Sequence, residues 1–289
     1  MRIVLAECDH DAFNEEFEAA EAAGVELVVA QSSSQDELVE NCAGADGIVV
    51  QYASITAEIM DALPSVRVIG RYGVGFDTID VEAATQRGIA VCNVPDYGTE
   101  AVSDHAIALA LSAAREIPRL DRGVREGRVE FPAIRPLNLV GRRIFGIIGL
   151  GRIGSSTARK AAALGYEVLC HDILAGGASA FRGYAHVGLD DLLERSQVVS
   201  LHTPLDTTTR HLIGARELGL MRSDATLVNT ARGAIVDTLA LAEAVRNGGI
   251  RSAALDVTEI EPIPLDHPLL EVPQVILTPH TAWYSEESY

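Results

Sequence analysis

IFGIIGLGRIGSSTARKAAALGYEVLCHD, residues Ile144 to Asp172, opens with an apolar run and passes straight into three glycines at GxGxxG spacing. Residues with helical periodicity follow (Ile153, Thr157, Ala161, Leu164), then a second apolar run that ends in an acid. The reading is strand, tight turn, helix, strand, carboxylate. Gly149 is expected to make the turn, Gly151 to let backbone approach a pyrophosphate, and Gly154 to let helix and strand pack closely. Arg152 and Ile153 open the helix whose amino end faces the phosphate charge. Asp172 stands where a carboxylate would accept hydrogen bonds from an adenosine ribose. A dinucleotide is the expected ligand, and NAD rather than NADP, because the Asp172 anion repels a 2′-phosphate and Ile173, Leu174 and Ala175 bring no cation.

Working outward, the chain of 289 residues with 48% hydrophobic content is long enough for two cores. Its 23 basic residues against 41 acidic give a net charge of −18, which argues against nucleic acid or an anionic membrane surface as a direct partner. No apolar run reaches the roughly 18 residues of a membrane span and no leader pattern is present, so a soluble cytoplasmic protein is expected. Cys8, Cys42, Cys92 and Cys170 lack metal or redox spacing and read as thiols in a reducing compartment, with no metal site.

Toward the amino terminus, apolar runs at Ile3–Ala6, Val25–Ala30, Gly47–Tyr52, Val66–Gly70 and Ile89–Val94 alternate with helix-length segments. The expected fold class is therefore α/β, with two doubly wound parallel-sheet domains: a flavodoxin-like domain over 1–98 and a Rossmann NAD-binding domain over 99–289. Arg71-Tyr72-Gly73-Val74-Gly75 follows a strand, with a helix expected near Ile79. Its free amides beside Arg71 either hold a small anion or form a plain tight turn. Thr99–Ile117 reads as a long helix with Thr99 as its cap, a stripe of Val102, Ala106, Leu109 and Ala113, and Pro118 ending or bending it. Arg119–Gly141, with Pro132 and Pro136, reads as a connection.

Toward the carboxyl terminus, each strand leads into polar residues: His202-Thr203-Pro204, then Asn229-Thr230-Ala231-Arg232, then Asp256 with Glu261, then Thr278-Pro279-His280. The carboxyl ends of parallel strands share one edge, so these groups should converge on the glycine turn. Hydride chemistry needs a proton donor and a cation for an anionic substrate. His280 suits the first task, Glu261 suits its partner, and the planar fork of Arg232 suits the second. His202 is as suited to supporting its loop as to lining a nucleotide.

In this order, GLGRIG, NTARG, LDV with a later E-P, and TPH resemble the D-isomer-specific 2-hydroxyacid dehydrogenases from about Arg67 onward. GFDTID, GIAVCNVP and TPHTAWYSE look closer still to the branch of the C-terminal-binding protein corepressors. The resemblance implies that Arg232 binds substrate, Glu261 partners the base and His280 is the acid/base. It also implies that Arg71 and the amides of Val74 and Gly75 hold the carboxylate of a small 2-oxo or 2-hydroxy acid, and that Trp283 lines the pocket. Thr230, Ala231 and Asp256 join the cofactor-binding residues. The resemblance assigns 1–98 to the substrate and implies homodimers joined through the cofactor domain. Members of that family normally close with a helix that crosses back to the first domain, so the expectation is that either the given sequence is trimmed after Tyr289 or that helix is missing. The resemblance leaves one alternative function: an NAD(H)-sensing, protein-binding module with little turnover.

Overall fold

The computed structural model describes residues 1–128, 136–173 and 183–289. Pro132, Leu174 and Ala175, which enter the sequence reading, lie outside the described residues. The chain divides into two compact units, Met1–Tyr97 and Gly98–Tyr289.

The first unit contains strands β1 (Arg2–Glu7), β2 (Glu26–Val29), β3 (Gly47–Val50), β4 (Val68–Arg71) and β5 (Ala90–Asn93) in the order β2-β1-β3-β4-β5. All four pairings are parallel, as the helical connections α1 (Asn14–Ala23), α2 (Gln35–Asn41), α3 (Ala57–Ala62) and α4 (Val81–Gln86) require. Val4, Ile48, Val50 and Ile69 are almost completely buried in its core. α4 starts two residues later than Ile79, because the Asp80 carboxylate caps it by accepting from Ala83 N at 2.8 Å. Ile79 instead forms a parallel bridge to Ile55.

The second unit holds β6 (Ile144–Ile148), β7 (Glu167–His171), β8 (Ala185–His186), β9 (Val198–Leu201), β10 (Thr226–Asn229), β11 (Ser252–Leu255) and β12 (Val275–Leu277). Their order is β12-β11-β10-β9-β6-β7-β8, again all parallel. The helices are α5 (Thr99–Ala114), α6 (Ile117–Arg125), α7 (Arg152–Ala163), α8 (Leu189–Arg195), α9 (Ala215–Leu220) and α10 (Thr238–Arg246). Every residue of β9, β10 and β11 is buried, the pattern of strands covered on both faces.

The Val102, Ala106, Leu109, Ala113 stripe of α5 is buried; Ala106, Leu109 and Ala113 join Phe145, Ile147 and Val228 in one core. Three local readings are corrected. Gly98 occupies the cap position and Thr99 is the first helical residue, so its hydroxyl is past the point where it could cap. α5 stops at Ala114, ahead of Pro118. Pro118 lies in the first turn of α6, where its missing N–H costs no hydrogen bond, so part of the expected connection is a helix. Among the described residues no helix is long and apolar enough to cross a membrane.

Candidate active site

The strand order reverses between β6 and β9, and a crevice opens at such a reversal beyond the carboxyl ends of the strands. Gly149 follows β6 and His202 follows β9, and the two backbones touch. A Cβ on Gly149 would stand 2.7 Å from the His202 carbonyl oxygen, and φ there is +89°. A Cβ on Gly154 would stand 2.0 Å from the Gly149 carbonyl oxygen. Nothing lies within 4 Å of where a Gly151 Cβ would be. The three glycines thus do different things: two admit neighbouring backbone, and the third leaves open space at the start of α7, beside Arg152 and Ile153.

Asp172, at the end of β7, accepts from Leu150 N at 2.7 Å and so ties the turn to the neighbouring strand. His186 Nε2 lies 3.2 Å from the Asp172 carbonyl oxygen. The His202 ring is bonded to Ser200 Oγ at 2.9 Å, and burial pushes its pKa down to about 3, which keeps it neutral. Its backbone and Cβ pack on the glycine turn.

The fit to a dinucleotide can be tested on the polar atoms left over. Thr203 Oγ1 and Thr230 Oγ1 are buried without a hydrogen-bond partner at the ends of β9 and β10. Buried hydroxyls are seldom left unmet, and these two lie on the edge that carries the glycine turn. Pro204 is exposed, with its carbonyl accepting from Thr209 Oγ1 at 2.7 Å. The residues present therefore fit a bound dinucleotide.

Arg232, Glu261 and His280 come together within the second unit. His280 Nδ1 donates to Glu261 Oε2 at 2.7 Å, and the two side chains are 37% and 38% exposed, open enough to meet a substrate. The other Glu261 oxygen accepts from Thr258 N at 2.9 Å. Burial raises the Glu261 carboxyl, but the hydrogen bond and charge of His280, the Thr258 N–H and the Arg232 charge outweigh it, and the net shift is downward. The carboxylate therefore stays ionised and, as an acceptor only, fixes the proton on His280 Nδ1. Nε2 is the nitrogen available for chemistry.

Two supports of this cluster were not legible in the motifs. Asn229 bridges its own loop, accepting from Ala231 N at 3.0 Å and donating to the Arg232 carbonyl at 2.9 Å. A Cβ on Gly233 would stand 1.9 Å from the Thr258 carbonyl, so only glycine lets the Arg232 loop meet the loop that carries Glu261.

Asp256 is 1% exposed, and both its oxygens are engaged within the protein. Oδ1 accepts from Thr278 Oγ1 at 2.5 Å and Thr281 N at 3.0 Å, Oδ2 from Ala282 N at 2.8 Å, and its carbonyl from His280 N at 2.7 Å. His105, on α5, adds Nε2 at 3.0 Å from Thr278 Oγ1. These bonds hold His280 at φ +54°, a left-handed conformation uncommon outside glycine and typical of functional positions. Trp283 stands edge-on to Tyr284, with its Cβ near Gly98.

In the first unit, the Arg71 guanidinium lies across Gly73, where an added Cβ would meet it at 1.6 Å and φ is +125°. Val74 and Gly75 follow, half-buried. The Tyr72 hydroxyl is turned to Glu16 Oε1 at 2.7 Å, which ties the ring to α1. Glu7, which no motif marked, accepts from Gln51 N, Tyr52 N and Ala53 N at 3.1, 2.9 and 3.0 Å. It thereby holds the loop after β3 beside the end of β1, the reversal point of this sheet.

Residues 107–282 match the family model of the D-isomer specific 2-hydroxyacid dehydrogenase, NAD binding domain. A glyoxylate reductase of Korarchaeum cryptofilum is 42% identical over 261 residues, covering 88% of this chain and 78% of the relative. A D-3-phosphoglycerate dehydrogenase of Archaeoglobus fulgidus is 41% identical over 267 residues, 92% of this chain; the chain spans half the length of that relative. Among solved structures, a D-lactate dehydrogenase of Aquifex aeolicus complexed with NAD and lactic acid superposes with a TM-score of 0.86 at 29% identity, covering 100% of this chain and 90% of that one. With the glycine turn, the acid after β7 and the motif order all in one Rossmann unit, this chain belongs to the D-isomer specific 2-hydroxyacid dehydrogenase family, NAD-dependent oxidoreductases of 2-oxo and 2-hydroxy acids.

Proposed function

We infer that the chain reduces a small 2-oxo acid to its D-2-hydroxy acid with NADH, with His280 as the acid, Glu261 as its partner and Arg232 as the substrate-binding cation. The observation that carries this reading is the 2.7 Å His280–Glu261 pair, held in the unit that bears the glycine turn, with the Arg232 charge close enough to act on Glu261. NADH, held by Gly149, Gly151, Gly154, Asp172, Thr203 and Thr230, supplies the hydride when bound. Protonated His280 gives the Nε2 proton to the oxygen that gains negative charge at the 2-carbon, and Glu261 stabilises the imidazolium before the transfer. Arg232 neutralises the substrate carboxylate and polarises the carbonyl. Arg71, with the amides of Val74 and Gly75, is a second carboxylate-binding group, and Trp283 contacts the substrate side chain. Residues 1–98 are assigned to substrate and 99–289 to cofactor.

His280→Ala is expected to lower kcat by about 10²–10⁴-fold on the preferred acid among glyoxylate, hydroxypyruvate and pyruvate, with NADH binding, followed by its fluorescence, within a few-fold of wild type. Undiminished turnover in that variant would remove His280 from the mechanism. The finer placing in the C-terminal-binding protein branch rests on TPHTAWYSE and Trp283; tight NADH binding with silence across the panel would favour a sensor of that kind. The cytoplasmic setting rests on four unpaired cysteines, three of them buried.

A further inference from the structure

The cofactor unit has an opening at the edge of its sheet opposite the glycine turn. A half-open cavity of about 390 Å³ lies where the central strands begin, within the size range of small-molecule sites. Arg142 and Arg143 reach it from just before β6, Gln197 from just before β9, and Arg222 and Asp224 from just before β10.

The charges there do not balance. Three guanidinium groups face one carboxylate, in a chain whose net charge is −18. Asp224 is already divided, accepting from Arg222 Nε at 2.8 Å and more distantly from Arg143 Nη2 at 3.5 Å. Arg143 is only 6% exposed, and its Nε has no hydrogen-bond partner. A buried guanidinium with an unmet N–H is costly unless a ligand satisfies it. Arg142 makes no ion pair among the described residues. An ion-pair cluster built only to join the strand ends would need one arginine for one aspartate and would leave no cavity between them. The planar forks instead match the oxygens of a phosphate or a carboxylate.

We propose that this cavity is a binding site for a small dianion, a phosphate group or a dicarboxylate, separate from the NAD site and independent of the hydride-transfer reading. Gln197 has its oxygen committed to Ile144 N at 2.7 Å and one amide N–H to the Arg195 carbonyl at 3.3 Å, which leaves its second N–H as a donor beside the arginines.

The test is isothermal titration of the full chain with inorganic phosphate, glycerol phosphate and succinate at constant ionic strength, with and without saturating NADH. Saturable binding of one anion per chain, unchanged by NADH and weakened about tenfold or more in both Arg222→Ala and Arg142→Ala, is the expected result. These two arginines are exposed, so the variants should fold, and circular dichroism checks it; Arg143→Met is a third, more severe variant. Preference among the three anions tells a phosphate site from a dicarboxylate site. Binding abolished by NADH would place the anion at the glycine turn and overturn the proposal. So would wild-type affinity in both variants, or heat effects that track ionic strength without saturating.

Discussion

Gly233 and Asp172 each decide one property of the site. At Gly233, a methyl group has no room against the Thr258 carbonyl, so Gly233→Ala must push the Arg232 loop away from the Glu261 loop. A displacement of about 1 Å costs about 10²-fold in turnover when the reacting groups depend on alignment. The expected outcome is a fall of that size in kcat/KM with NADH affinity preserved, read by steady-state kinetics beside fluorescence titration. At Asp172, the carboxylate accepts from Leu150 N, and in the proposed NAD site its negative charge faces the ribose. Asp172→Asn keeps an acceptor and removes the charge, so the NADPH-to-NADH ratio of kcat/KM should rise about tenfold, 1.4 kcal/mol of discrimination. An unchanged ratio would mean that something other than this charge excludes the phosphate. Asp172, Arg232, Glu261 and His280 were legible because each stands at a fixed place after an apolar run. The part played by Gly233 was not, since what matters there is which carbonyl it meets, and that carbonyl lies in the loop after another strand; Asp256 was read as a cofactor residue, whereas its oxygens are taken up by Thr278, Thr281 and Ala282.

At the level of elements, α5 and α7 are joined by Glu100, which meets Lys160 Nζ at 2.8 Å, Ser156 Oγ at 2.8 Å and Arg159 Nη2 at 3.1 Å. The Lys160 hydrogen bond, then that of Ser156, hold the Glu100 carboxyl down to about 2, against a small opposing effect of burial. A depressed carboxyl contributes stability that is fully present above the unfolded-state value near 4.5 and lost as pH falls toward 2. The group is 62% exposed, so solvent screening limits the contribution to about 0.5–1 kcal/mol. Glu100→Gln should lower Tm by a few degrees at neutral pH, and the gap from wild type should narrow on acidification, as thermal melts at two pH values would show. The same pair of helices shows what the pattern could and could not give. The α5 stripe was readable because its apolar residues recur at helical spacing. α6 was missed because its proline was taken as a stop, when in the first turn of a helix it is tolerated.

For the whole molecule, composition and strand alternation were enough to indicate two parallel α/β sheets, and the structure adds their strand orders, which no local pattern encodes. We propose that the protein is a homodimer joined through the cofactor unit. Ile117 and Val124 on α6 are 52% and 74% exposed, and apolar side chains left on one short helix suit a surface that another copy covers. Sedimentation velocity should show a dimer, and Val124→Glu should shift it toward monomer; a wild-type monomer at micromolar concentration would refute the assignment.

The completely buried strands β9, β10 and β11 have one more implication. Thr203, Thr230, Arg232 and Asp256 each sit within three residues of the end of a strand that has no solvent-facing side. Tools mounted on such a foundation keep their aim through thermal agitation, and whatever suppleness turnover demands must be found in the loops beyond them. Durability and reactivity are thereby assigned to adjacent stretches of the same strand-loop segments, and a variant can lose one while the other survives.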